Sequence, residues 1–77
     1  MENNIIQHDI VMFKLNNVIE FIRDAGRMDL MEGYYSQFNG MIDLARSLGI
    51  ISLEEYASIT NEVHTMMANK IVKEGWC

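Results

Sequence analysis

Apolar positions recur along this chain at intervals of three and four residues, the period of a helix, in three runs parted by glycine-bearing breaks. The first run, about residues 4–25, carries Val11, Leu15, Val18 and Ile22 as its stripe, widened by His8, Met12 and Ile19, and stops at Gly26. Ile6, Ile10, Phe13 and Phe21 fall outside that stripe on a helical wheel and make a second apolar sector. A helix apolar on two sides must be covered twice, either by both other helices of its own chain or by a neighbouring subunit.

The second run, about residues 29–48, opens at Asp29, whose spacing to Glu32 suits an N-cap followed by a first-turn carboxylate. Met31, Tyr35, Phe38, Ile42 and Ala45 form its seam, and Leu30, Tyr34, Met41, Leu44 and Leu48 thicken it. Gly33, Ser36, Gly40 and Ser47 make a row of small residues on the other side. An interior glycine costs a helix ~1 kcal/mol relative to alanine, so Gly33 and Gly40 point to a close approach by another backbone. The third run, about residues 53–74, carries Tyr56, Ile59, Val63, Met67 and Ile71 as its stripe. Glu54, Ser58, Asn61, Thr65, Asn69 and Lys73 form its wet face. Gly75 ends the run, and Trp76 is placed to fold back onto an apolar groove.

Between the second and third runs the chain both stops and restarts a helix. Gly49 stands where a helix C-terminus takes a left-handed residue, which glycine does without a Cβ clash. Ser52 and Glu55 have the S-x-x-E spacing of a capping box, flanked by Ile51 and Tyr56 at the spacing of a hydrophobic staple. The pattern predicts an all-α protein: a tight helical hairpin preceded by an N-terminal helix, a three-helix bundle in one domain.

At 77 residues, such a domain buries only ~60% of the surface its unfolded chain exposes, and small domains are commonly reinforced by disulfides, a metal or a partner subunit. The single cysteine, Cys77, cannot form a disulfide within the chain, and two histidines, His8 and His64, are too few and too badly spaced for a structural zinc site. Self-association is the remaining route, and the sequence reading is a helical homo-oligomer with Ile10, Phe13, Phe21, Gly33 and Gly40 at its contacts.

Charge then narrows the function. A net charge of −5 and scattered basic residues disfavour a nucleic-acid binder, which needs clustered cations to displace counterions. Ala45, Gly49 and Ile50 match a helix-turn-helix turn, but Glu55 and Ser58 stand where the following helix needs apolar residues. No apolar run reaches the ~20 residues of a membrane span and the N-terminus lacks a basic leader region, so the expectation is a cytoplasmic protein.

Catalytic, cofactor and metal sites find no support. A nucleophile needs a base within reach and a group to orient it, and neither histidine has a carboxylate neighbour at helical spacing; His8 and Asp9 are adjacent and diverge. What remains is surface. Asp43, Glu54, Glu55 and Glu62 lie on or near the second hairpin, where they could face a basic partner protein. The expected function is therefore a small acidic binding protein, an inhibitor or adaptor of the kind that phages and mobile elements direct against host defence. The alternative is a helical oligomer that holds a small ligand such as a nucleotide between subunits; a helix-turn-helix-like nucleic-acid binder comes third.

Overall fold

The computed structural model describes the backbone of residues 2–76 and the side chains of residues 6–76. It contains three helices, α1 (Glu2–Asp24), α2 (Met28–Ser47) and α3 (Leu53–Glu74), with no strand among the described residues. The boundaries follow the apolar periodicity to within two residues at every helix end. No helix among the described residues is long and apolar enough to cross a membrane.

α1 and α2 form an antiparallel hairpin that supplies most of the core. Leu15, Val18 and Ile22 from α1 meet Met31, Phe38, Ile42 and Ala45 from α2, closed at the ends by Ala25 and Ile51. α3 runs back alongside α1 and contributes one fully buried side chain, Val63. Tyr56, Ile59, Met67 and Ile71, the rest of its stripe, are only partly buried. The third helix is thus thinly packed, and polar contacts at both of its ends supplement that packing.

Local chemistry explains where the helices stop. α2 ends with Gly49 at φ +75°, its N–H donating to the Arg46 carbonyl at 3.0 Å while the Ile50 N–H reaches Ala45 at 2.9 Å. This is the paired bonding of a left-handed cap, with Ile50 folded onto the core beside buried Ala45. α3 ends the same way at Gly75, with φ +71°, where the Trp76 N–H donates to Ile71 at 3.0 Å and the indole packs against the core edge. At the start of α3 the Ser52 hydroxyl accepts from the Glu55 N–H and the Glu55 carboxylate from the Ser52 N–H, both at 3.0 Å.

The start of α2 differs from the sequence expectation. Asp29 lies inside the helix and the N-cap is Arg27, in extended conformation and with no side-chain cap bond. The Asp29 carboxylate is drawn to the Arg27 guanidinium at 3.0 Å, near the positive end of the helix dipole.

The two caps of the α2–α3 turn have separable energies. Ser52→Ala is expected to lower unfolding free energy by about 1 kcal/mol, and Gly49→Val by more, since a β-branched residue resists positive φ. Chemical denaturation at neutral pH measures both; two midpoints equal to wild type would contradict this account of the turn.

Candidate functional site

The outstanding surface feature is an apolar face on the α1–α2 hairpin, on the side away from α3. Along α1 it consists of Ile6, Ile10, Phe13 and Phe21, all at least half exposed, with Phe13 at 66%. Along α2 it consists of Leu30, Tyr34, Met41, Leu44 and Leu48, of which Leu44 and Leu48 are 60% and 65% exposed. The two rows lie abreast, tied where the Phe21 and Tyr34 rings stack at 5.2 Å. Two polar residues, Asn17 and Gln37, complete the helical spacing of the rows.

The structure therefore gathers Ile10, Phe13 and Phe21 onto one row, as the wheel anticipates. Of the five residues expected to thicken the core seam, Tyr34 and Met41 are partly buried and pack against the core, whereas Leu30, Leu44 and Leu48 are exposed and correct the sequence reading. The row as a whole is centred about 90° from the buried seam of α2. Its own 3-4 spacing at 30, 34, 37, 41, 44 and 48 was the signal that a second row exists. Gly33 and Gly40 lie along the outer edge of this row, and a Cβ built on either would meet nothing within 4 Å. The close backbone approach inferred for them does not occur within the chain, because α3 packs on the opposite side of α2.

The four carboxylates of the expected acidic face are dispersed. Asp43 faces the α2 side of α3, where it accepts a 3.0 Å hydrogen bond from the Tyr56 hydroxyl. Glu55 lies on the α1 side with both oxygens engaged, one by the Ser52 N–H and the other by His8 Nε2 at 2.7 Å. Glu54 is exposed, and Glu62 is an exposed wall residue of the groove between α1 and α3.

That groove has a volume of about 740 Å³ and is floored by Met12, Ile19, Ile59 and Met66, with Asn16 and Asn61 on its walls. It leads to a smaller recess of about 250 Å³ edged by Arg23, Lys70, Lys73 and Glu74. Lys70 donates to the Arg23 carbonyl at 2.7 Å, satisfying one of the orphan acceptors at the end of α1, and its ammonium also lies 5.3 Å from the Trp76 ring centroid.

The His8–Glu55 pair ties α1 to the first turn of α3 across 47 residues of chain, so His8 has the carboxylate partner that sequence spacing did not provide. Donation of a hydrogen bond to the Glu55 carboxylate raises the His8 pKa above its ordinary 6.5 more than desolvation lowers it, with a small contribution from Asp9 beside it. Glu55 is held below its ordinary 4.5, first by the Ser52 N–H and then by His8. On the far side of α3, the Tyr35 hydroxyl hydrogen-bonds to His64 Nε2. Among the described residues no group of three or more His, Cys, Asp or Glu side chains could hold a metal ion. Cys77 lies outside the described residues.

Comparison of the chain with protein-family models, curated proteins and solved structures finds no match.

The His8–Glu55 clasp has a defined pH window. Its stabilisation through His8 is complete below the ordinary value of 6.5 and is lost as pH rises through the raised folded value. Stabilisation through Glu55 is complete above 4.5 and is lost as pH falls through its depressed folded value. The difference in urea midpoint between wild type and His8→Gln should therefore be largest between those two ordinary values and shrink toward pH 9. A difference that does not change with pH would contradict the clasp.

Proposed function

We propose that this protein is a non-catalytic binding protein that self-associates through the α1–α2 face and acts, as an oligomer, on a partner protein as an inhibitor or adaptor. The observation that carries the reading is the pair of adjacent apolar rows left uncovered by the chain's own third helix. Single exposed apolar residues are ordinary, but a contiguous two-helix face is the mark of an interaction surface.

Magnitudes are compatible with a second copy as the cover. Six of the face's side chains are half exposed or more. Full burial of such a side chain is worth ~1.5–3 kcal/mol, so burying the exposed half of twelve in a symmetric pair yields on the order of 9–18 kcal/mol. The cost of association is ~4–15 kcal/mol. The gain is of the same order as the cost, so the face supplies enough apolar surface to offset association.

Self-association through this face leaves α3 outward, together with exposed Glu54 and Glu62 and the −5 charge of each copy. A basic partner surface suits that charge, as in the anti-defence inhibitors of phages and mobile elements. Nucleic-acid binding through the α2–α3 turn is opposed by Glu54 and Glu55 in the first turn of α3. A second reading, small-ligand binding, draws support from the α1–α3 groove, whose volume falls within the ~300–1,000 Å³ of ligand sites. Its far end sets Arg23, Lys70 and Lys73 beside Glu74, and those three cations are what an anionic group such as a phosphate would pair with. A thermal-shift panel of nucleotides, repeated with Arg23→Gln, separates this reading from the first.

Light scattering tests the main proposal. Wild type should show a multiple of the 8.9 kDa chain mass at micromolar concentration, and Phe13→Lys with Leu44→Glu should show one chain mass with helicity retained. A wild-type mass of one chain across a hundredfold dilution would overturn it.

A further inference from the structure

We infer that the groove between α1 and α3 takes an amphipathic helix of the partner protein, lying antiparallel to both with its N-terminus at Arg23, Lys70 and Lys73. This rests on the proposed action on a partner protein and is independent of self-association through the α1–α2 face. Two contacts set the register of the groove: His8 bonds to Glu55 and Lys70 to the Arg23 carbonyl, each across 47 residues of chain. α1 and α3 therefore run parallel and in step, with Met12 level with Ile59 and Ile19 with Met66. These four apolar side chains form two layers seven residues apart, the heptad spacing on which a further helix packs. Leu15 and Val63 are fully buried between the layers, and the flexible thioethers of Met12 and Met66 adapt to what they meet. From Met12 to Arg23 the groove runs about 16 Å at ~1.5 Å per residue, room for three turns of helix. Among the described residues no aromatic ring lines it, so it offers a nucleobase nothing to stack on.

Electrostatics fix the direction of the docked helix. Because α1 and α3 are parallel, their C-terminal ends, each equivalent to about −0.5 charge, converge near Arg23 and Lys70, where a helix N-terminus brings the opposite partial charge. α2 already runs antiparallel to both, so an antiparallel helix in the groove completes an up-down-up-down bundle. Side-chain charges follow the same order. Arg23, Lys70 and Lys73 stand with Glu74 at one end of the groove. Glu20 takes one Arg23 nitrogen at 2.9 Å and the Arg23 carbonyl takes one proton of Lys70, but a guanidinium carries five donors and an ammonium three. Toward the other end lie Glu62 on the groove wall and exposed Glu54 in the first turn of α3. A helix acidic in its first turn and basic in its last, the distribution its own dipole favours, meets opposite charges at both ends. Reversed, it meets like charges.

Two synthetic peptides test the inference, each of about four helical turns, with leucines at heptad spacing on one face and a lactam bridge that makes both equally helical by circular dichroism. One carries glutamates in its first turn and lysines in its last; the other has these charges exchanged. Binding to the full chain is followed by NMR of methyl-labelled methionine, with Met12 and Met66 reporting the groove and Met41 the α1–α2 face. The acidic-first peptide should shift Met12 and Met66 saturably and bind at least tenfold more tightly than its counterpart. Arg23→Gln with Lys73→Gln should remove most of that difference, since the Lys70 bond goes to the Arg23 backbone and survives the change. Equal affinities, or no shift of Met12 and Met66 by either peptide, would overturn the inference. Shifts confined to Met41 would overturn the groove as the site while leaving a partner-binding protein. A nucleotide that shifts Met12 and Met66 where neither peptide does would overturn it in favour of the small-ligand reading. None of these outcomes alters the mass measured by light scattering, on which self-association stands or falls separately.

Discussion

The controlling constraint is that α1 is apolar on two sides while the chain has too little of itself to cover both. Burial against α2 satisfies the stripe of Leu15, Val18 and Ile22, and these side chains with Met31, Phe38 and Ile42 make most of the core. The third helix could have packed over Ile10 and Phe13. It lies instead on the opposite side, where Met12 and Ile19 are only partly covered. The short Gly49–Ser52 connection directs it there: the staple residue Ile51 is buried and fixes the entry of α3.

α3 accordingly has a different character from the hairpin. Its fully buried apolar contribution is Val63, and polar bonds hold it to α1 near both ends, His8 to Glu55 at one and Lys70 to the Arg23 carbonyl at the other. Tyr35 with His64 and Tyr56 with Asp43 tie it to α2. A hydrogen bond contributes a net ~0.5–1.5 kcal/mol, and segments with few buried apolar contacts open at lower free energy than the core. The ordering of stability within the chain is therefore hairpin first, α3 second. Glu55 links the two levels, since one carboxylate caps α3 and reaches α1.

What could be read from the sequence was what local chemistry decides. The left-handed glycines, the capping box and the second sector of α1 were legible because each depends on residues within a few positions of one another. Asp29 misled because a nearby cation, Arg27, competes for its carboxylate with the helix amides. Leu30, Leu44 and Leu48 were assigned to the core with Tyr34 and Met41, which do pack there, because α2 is apolar over a broad arc, and a wheel does not say which part of such an arc a neighbour will cover. His8 with Glu55, 47 residues apart, was invisible without the fold. The same pairing withdraws Glu55 from the acidic face on which the electrostatic expectation leaned.

If the hairpin's outer face completes its core with a second copy, folding and association are linked, and stability must depend on protein concentration. The most direct measurement is the urea unfolding midpoint of the full chain across a hundredfold range of concentration. The account predicts a midpoint that rises with concentration in wild type. Superimposable unfolding curves over the whole range would contradict it, because a chain that folds alone has no concentration term.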